Sequence, residues 1–459
     1  MSTKFRFWSG WKKKDGCDWL AHDVKKFCSE GVQKAVARTS LTIGSPFFDL
    51  RMSRGGTTSA PRTAGVNGTA SRKTSGARLW FVIHGWLALP IWAFLFFVCL
   101  TGSIATVSQE IMWLASPMER ANAPTNDARL LGYDEILAAV EREVPGARVR
   151  FISRPVKSIF ALGVQVTRPD GSSAKLFVNP YTGVVQGEQG TFDFRDFTRA
   201  LHGWLLMPFD SSFPIGWYFV SALSVPLLGS LITGIVVYKR FWRAYLQPRL
   251  RIGKGKRIFW GDLHRLAGVW SIPFIAIMAV TASWFLIQAI LSDNHISIST
   301  AGVPPVVAGT DVPVVAEGAP APRITLGQAA EIVHAQLPDL EPSFVELPDS
   351  AYGQISVGGR GNYPLIFETV EVNPYNGKVE RARRVSDRSA LELVTGSMRP
   401  LHTGDFAGVW LKLIYLLFGL TLTTLVFSGM MVWTRRTAIE TVKIVRDRRH
   451  VRLGLEATE

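Results

Sequence analysis

Four of the eight histidines in this chain open or border long apolar stretches: "IHGW" (83–86), "ALHGWL" (200–205), "DLHRLAG" (262–268) and "PLHTGDFAGVW" (400–410). His84 and His264 stand 264 − 84 = 180 positions apart, and His202 and His402 stand 402 − 202 = 200 apart. A neutral imidazole is a metal ligand. Two of them on opposite sides of a macrocycle fill both axial positions of a haem iron and favour electron transfer over oxygen chemistry. A single histidine at a membrane edge is ordinarily just an interfacial polar residue. Zinc is the weaker metal reading, because a structural site wants four ligands and no Cys, Asp or Glu cluster joins these histidines. Number and register favour haem: four histidines fall at matching ends of four apolar segments. His22 and His450 lie in basic flanks, and His334 follows the core residue Val333 on a helix, so all three are expected in solvent. His295, just past the third segment, is left open between substrate contact and no role.

Positioning such groups requires membrane helices. The chain has 459 residues, 47% of them hydrophobic, with 15 Trp. Its apolar residues gather in blocks longer than the roughly 20 residues a helix needs to cross a bilayer. We expect spans at 79–107, 214–238, 263–291 and 406–434. Charge is nearly absent within them, and Lys412 and Arg265 lie near ends where their side chains can reach the headgroups. The link 239–262 is strongly basic, and "YKRFWRAYLQPRLRIGKGKR" (238–257) carries eight basic residues and no acidic one. The tail 435–459 and the segment 1–78 are basic too; the latter includes a Gly/Ser/Thr-rich stretch read as disordered. Residues 1–51 precede a second methionine, Met52, and their place in the native protein stays open. By the positive-inside rule, both termini and the 239–262 loop are cytoplasmic. The net charge of +15 then reflects anchoring to anionic lipid. No nucleic-acid-binding signature accompanies it. Only alternate helices bring their leading histidines to one depth. His84 therefore pairs with His264 on the cytoplasmic side, and His202 with His402 on the periplasmic side. Since the hydrocarbon core is about 30 Å thick, two haems would form a relay where one would not.

The two loops between spans, 108–213 and 292–405, resemble each other. Tyr133, Ile136, Leu137 and Val140 recur with helical spacing, as do Leu326, Ala330, Val333 and Leu337; alternating stretches follow each. Both loops finish on N-P-Y-x-G, "NPYTG" (179–183) and "NPYNG" (373–377), where proline pre-sets φ and glycine takes a positive one, closing a hairpin. The fold class is thus a membrane protein of four transmembrane α-helices in two repeats with two periplasmic α+β domains. Small residues share the histidine faces: Ala88 and Gly102 with His84, Gly268 and Ala282 with His264; "TG" (233–234) and "SG" (428–429) recur on the other spans. Such residues permit close helix packing or let a flat group lie against the backbone.

Some chemistries are excluded. Of the three cysteines, Cys17, Cys28 and Cys99, none lies in a periplasmic loop, and no C-x-x-C-H haem-attachment motif occurs. Nucleophile motifs, a P-loop, HExxH and a strand-borne G-x-G-x-x-G are lacking, so no catalytic side chain is assigned and NAD(P)H has no Rossmann unit here.

The histidine-led segments, the recurring T-G pairs and the N-P-Y-x-G turns together resemble the PepSY-associated transmembrane family over 79–436. Within it the chain is similar to the bacterial inner-membrane ferrisiderophore (ferrioxamine-type) reductases. That resemblance implies two haem b groups held by His84, His202, His264 and His402. It also implies reduction of iron(III) in a ferric siderophore at the periplasmic face, with electrons from a cytoplasmic flavoprotein or membrane quinol. Two departures from the family pattern stand out: the N-terminal extension, and Thr281-Ala282 where T-G is usual. Competing expectations are a non-redox PepSY scaffold or peptidase-regulating protein, and a transporter component for iron or siderophore. The lack of an intramembrane carboxylate speaks against the transporter.

Overall fold

A computed structural model describes residues 80, 83–87 and 89–452, apart from 156–158, 210–212, 239–240, 300 and 317–318. From 435 onward it describes the backbone alone. The extension expected over 1–78, with His22, Cys17 and Cys28, lies outside the described residues, as do Ala88 and the side chain of His450.

The chain is a membrane protein. Among the described residues three helices are long and apolar enough to cross a bilayer: Ile215–Val237, Ile272–Asp293 and Gly408–Thr434. A bent pair, α1 (Trp92–Thr106) and α2 (Ser108–Ala115), meets the same standard jointly, with an angle of 54° between its halves. Proline shapes several of these segments. Pro90 falls in a short 3-10 turn, Leu89–Ile91, that separates the helical residues 83–87 from α1. Its ring removes one backbone donor and interrupts an α-helical run. Where one helix is expected over 263–291, there are two: α8 (Lys256–Trp270) and α9 (Ile272–Asp293), parted at Ser271 with Pro273 in the first turn of α9. The second span is built from α5 (Ile215–Ala222) and α6 (Ser224–Val237), with the short α7 (Phe241–Leu246) in the basic link after it.

His202 and His402 do not lead spans, contrary to the sequence reading. Each ends a separate helix before the span begins. α4 (Phe194–Trp204) is capped by Asp193, whose side chain accepts from the Asp196 amide at 2.9 Å. It stops where Leu205 and Leu206 take φ of 56° and 59°. α11 (Ala390–Thr403) starts on a reciprocal Ser389–Glu392 cap and stops at Gly404, φ 69°. The final helix, α12 (Gly408–Arg452), follows. Continuous apolarity through Leu205 and Leu206 hides the first of these breaks, since a left-handed leucine leaves no compositional mark.

The two loops between spans form one body. Helix α3 (Tyr133–Glu143) precedes β1 (Arg148–Ser153), β2 (Leu162–Thr167), β3 (Ser173–Val178) and β4 (Val185–Glu188). Helix α10 (Leu326–Gln336) precedes β5 (Glu341–Glu346), β6 (Ile355–Arg360), β7 (Glu368–Val372) and β8 (Val379–Arg383). The strands make a single antiparallel sheet in the order β4-β3-β2-β1-β5-β6-β7-β8. Each first strand would be an exposed edge in isolation; pairing Phe151 with Glu346 and Ile152 with Val345 removes both. One core runs beneath the joint, from Ile136, Val140 and Ile152 to Val333, Val345 and Val370, all buried. Along α10 the buried face is Leu326, Ala329, Val333 and Leu337, so Ala329 rather than Ala330 faces the core. The N-P-Y-x-G turns are built alike. Gly183 and Gly377 both have φ of 73°, and Asn179 and Asn373 accept from the amides of Tyr181 and Tyr375 at 2.9 and 3.0 Å.

A further bond ties the halves. The Asp134 carboxylate accepts from the Leu326 and Gly327 amides at 2.7 and 2.8 Å, where α10 leaves backbone donors unpaired. Asp134→Ala should therefore lower stability by about 1 kcal/mol, as loss of a helix cap does. Thermal unfolding of the detergent-solubilised chain checks this, and an unchanged midpoint would show the joint to be independent of this contact.

Candidate functional site

The bundle brings the four histidines together in two pairs. The rings of His84 and His264 have centroids 6.3 Å apart, and those of His202 and His402 are 6.2 Å apart, with interplanar angles of 66° and 29°. The second pair lies at the sheet end of the helices, since α4 and α11 each follow the last strand of their unit. The first pair lies at the opposite end, where residues 83–87 and α8 begin the paths toward the sheet.

Each ring is held through Nδ1 by a different helix. His84 Nδ1 lies 2.9 Å from Thr233 Oγ1 on α6. His202 Nδ1 lies 3.0 Å from the Val98 carbonyl on α1. His264 Nδ1 lies 3.1 Å from the Leu425 carbonyl and 3.3 Å from Ser428 Oγ on α12. His402 Nδ1 lies 2.8 Å from Thr281 Oγ1 on α9. These contacts assign the tautomer. A carbonyl only accepts, so His202 and His264 carry their proton on Nδ1. A hydroxyl has one hydrogen, and Thr233 and Thr281 spend theirs on the Gly229 and Ile277 carbonyls at 2.7 Å. Both therefore accept from the histidine. All four rings keep Nδ1–H as donor and leave the Nε2 lone pair for a ligand bond.

The small residue after each hydroxyl explains the T-G pairs. A Cβ on Gly102 would come within 2.6 Å of His202 Cε1, and one on Gly429 within 3.0 Å of His264 Cε1. At Gly234 the corresponding distance to His84 is an ordinary 3.5 Å. Gly102 thus seats the ring of His202, not a group lying beside His84. Gly268 serves helix packing, its Cβ position 3.4 Å from Leu425. The clamps are reciprocal within each repeat. The first span seats the histidine beside the second and the second seats that of the first; the third and fourth spans do likewise. Thr101 follows His84 by the same interval as Thr281 follows His264, the one signal in the sequence for this exchange. Reading the small residues against the histidine of their own helix concealed it.

Does the donor set suit a haem? Two imidazoles bonded through nitrogen to one metal at about 2 Å each bring their ring centres roughly 6 Å apart, the separation found in both pairs. Among the described residues no group of three or more His, Cys, Asp or Glu side chains gathers around a common point. Each site thus brings together two imidazoles without a third ligand of these types, a donor set that would suit a macrocycle-bound iron. Phe285 stands against His402 with ring centres 5.2 Å apart.

Two charged residues behave otherwise than expected. Lys412 does not reach for headgroups. It is buried, with Nζ 3.0 Å from Glu110 on α2 and 3.5 Å from Asp405. Arg265 pairs with the buried Asp262, which also holds Arg251 at 2.9 Å. The Arg251 guanidinium, outweighing burial, keeps the Asp262 carboxyl down at about 2. His334 and His295 are exposed and belong to neither pair.

Residues 81–436 match the model of the family described as PepSY-associated TM region. The chain is also 25% identical over 246 residues to a Pseudomonas aeruginosa protein named uncharacterized protein PA4219. That alignment covers 49% of this chain and 60% of the relative, so the chain spans less than two thirds of the relative's length.

Seating by glycine carries a graded expectation. Gly102→Ala should displace the His202 ring and lower the unfolding midpoint, because the nearest atoms belong to a ring held on both sides. Gly85→Ala, with nothing within 4 Å, should leave it unchanged. Equal effects from the two would refute the seat.

Proposed function

The chain belongs to the PepSY-associated TM region family, and from that premise we propose that it is a transmembrane electron-transfer protein of the bacterial inner membrane. It carries two haem b groups and reduces ferric siderophores at the periplasmic face. The observation that carries the reading is the spacing of the two histidine pairs, one at each end of the helices, with every Nδ1 engaged. Four spans cross the membrane, the bent pair counting as one. Both termini and the basic 239–262 loop face the cytoplasm, and the eight-stranded sheet lies in the periplasm.

Bound haem supplies one-electron redox chemistry at each pair. The chain's own residues hold and orient. His84 and His264 offer Nε2 on the cytoplasmic side, and His202 and His402 offer it beneath the sheet. Thr233, Thr281 and the Val98 and Leu425 carbonyls accept from Nδ1–H, which raises the basicity of the ligating nitrogen and fixes the ring plane. A haem held by two such histidines would have no coordination position left for oxygen. The balance of the reaction is simple. One electron enters from a cytoplasmic flavoprotein or from quinol, crosses the membrane, and converts chelated iron(III) to iron(II). Oxygen-donor chelates hold hard iron(III) far more tightly than iron(II), so the metal is released. No side chain is required to move a proton or form a bond to substrate.

Purified from membranes, the chain should show low-spin b-type spectra with about two haems per chain. A colourless preparation from haem-replete cells would favour a non-redox scaffold, peptidase regulation or a transport component instead. His202→Ala and His402→Ala should each remove or convert the same haem, with the double variant losing little more, because residues acting as a unit are not additive. His84→Ala or His264→Ala should disturb the other haem, and ferric-siderophore reduction should fail in all of them. Four single variants that each kept two low-spin haems would place the ligands elsewhere. For orientation, a reporter that works only in the cytoplasm should be active when fused after residue 436 and silent when inserted near Gly309; the reverse pattern inverts the assignment.

A further inference from the structure

Both sheet-end histidines are preceded by an arginine at the same interval, Arg199 before His202 and Arg399 before His402. Residues three apart share a helix face, so each arginine sits one turn nearer the sheet on the side of its helix that presents the histidine. The rings those helices bring together are 6.2 Å apart, so the two arginines start from the helix faces that meet there. They are close enough for Arg399 to act electrostatically on Arg199. Among the described residues neither forms an ion pair. The carboxylates that act on them are engaged elsewhere, Asp405 with Lys412 at 3.5 Å and Asp196 with Arg195 at 3.8 Å.

Such a pair is costly. Burial pulls Arg199 down to about 10, with the neighbouring charges of Arg195 and Arg399 acting in the same direction. Burial lowers Arg399 also, against the pull of Asp405. Arg399 is exposed and Arg199 half-buried, so both line accessible space rather than filling a core. Arg195, one turn further up the same face, has a buried Nε that makes no hydrogen bond and stands 3.8 Å from the Asp196 carboxylate. Like charges brought together, with no carboxylate paired to either, repel each other unless an anion joins them, and arginine binds carboxylates through paired hydrogen bonds.

We propose that Arg199 and Arg399 form a carboxylate seat on the sheet side of the His202–His402 pair, and that it takes the two propionates of the haem held there. The inference rests on the haem reading above and adds an orientation: the propionate edge faces the periplasmic sheet and the apolar edge faces the bilayer. Two positive charges at the propionates also bias this haem toward its reduced state relative to a site without them. The same carboxylate chemistry could come from an anionic ferric chelate docking over the site, and the test separates the two sources.

The full chain, produced without haem supply, is loaded with haem b or with haem b dimethyl ester and followed by its visible spectrum. The His84–His264 site of the same molecule serves as internal standard for folding. Arg199→Gln and Arg399→Gln should each weaken loading of haem b at the sheet-end site about ten-fold, the worth of a hydrogen bond to a charged group. Arg→Lys should restore part of the loss. With the ester, wild type should bind as weakly as the variants, and the variants should lose nothing further. The double variant should also show a lower midpoint potential for this haem alone. Variants that load haem b as wild type does, at unchanged potential, would overturn the proposal. So would a rise in KM for an anionic ferric chelate with haem loading intact, which would give the seat to the substrate. A wild-type chain that takes up haem in neither form would defeat the haem reading itself, and this inference with it.

Discussion

The engagement of each histidine Nδ1 by a neighbouring helix is the interaction on which the membrane half depends. It is a small bond, from 2.8 to 3.1 Å at its shortest contact in each ring, but it settles three matters together. It fixes the tautomer and so frees Nε2. It fixes the ring plane, and at His84, His202 and His264 the neighbouring Gly234, Gly102 and Gly429 let the imidazole lie on the helix. It also couples helices: no histidine is oriented by its own helix, so neither pair can form unless both spans of each repeat are docked. The hydrophobic effect gives little incentive for helices to associate in lipid, where packing of small residues and interhelical hydrogen bonds do that work. Here the same contacts supply both association and site geometry.

The sheet extends that dependence across the duplication. Each repeat contributes one histidine to each pair, so the repeats must be held in a fixed relation. Joining β1 to β5 does this on one side of the bundle. The register Phe151–Glu346 and Ile152–Val345 leaves no freedom to slide, since a shift of one residue would turn Ile152 and Val345 out of the core. Asp134 on the amides of Leu326 and Gly327 adds a second tie of a different kind. A closed joint of this sort also protects two strand edges that would otherwise be open to association with other chains.

Much of this was legible in the residues. The apolar blocks, the helix-then-strands order of each loop, the N-P-Y-x-G hairpins and the same-end pairing of histidines all follow from periods and intervals visible in one chain. What stayed hidden has physical causes. The single sheet depends on an edge-to-edge contact between segments about two hundred residues apart (346 − 151 = 195), and alternation marks a strand without naming its neighbour. The end of α4 leaves no mark because Leu205 and Leu206 adopt left-handed backbone without the glycine that ordinarily betrays it, whereas α11 does stop on such a glycine, Gly404. A helical wheel does not show the clamps, because it compares residues within one helix, whereas Gly102 seats a ring on another.

Lys412 carries the last of these lessons. At the head of a span a lysine has two options, to extend to the headgroups or to find a carboxylate inside, and composition cannot choose between them. Here Glu110 and Asp405 supply the carboxylates, from the end of the first span's path and from the turn between α11 and α12. A buried ion pair adds little net stability, because desolvation offsets the attraction, but breaking it by removing one partner is expensive. Its effect is therefore on register. α12 cannot rotate or slide against α2 without stranding a charge, and α12 is the helix that holds His264 through Leu425 and Ser428. A contact at the sheet end of the bundle thus constrains the histidine pair at the far end, through the rigidity of one helix.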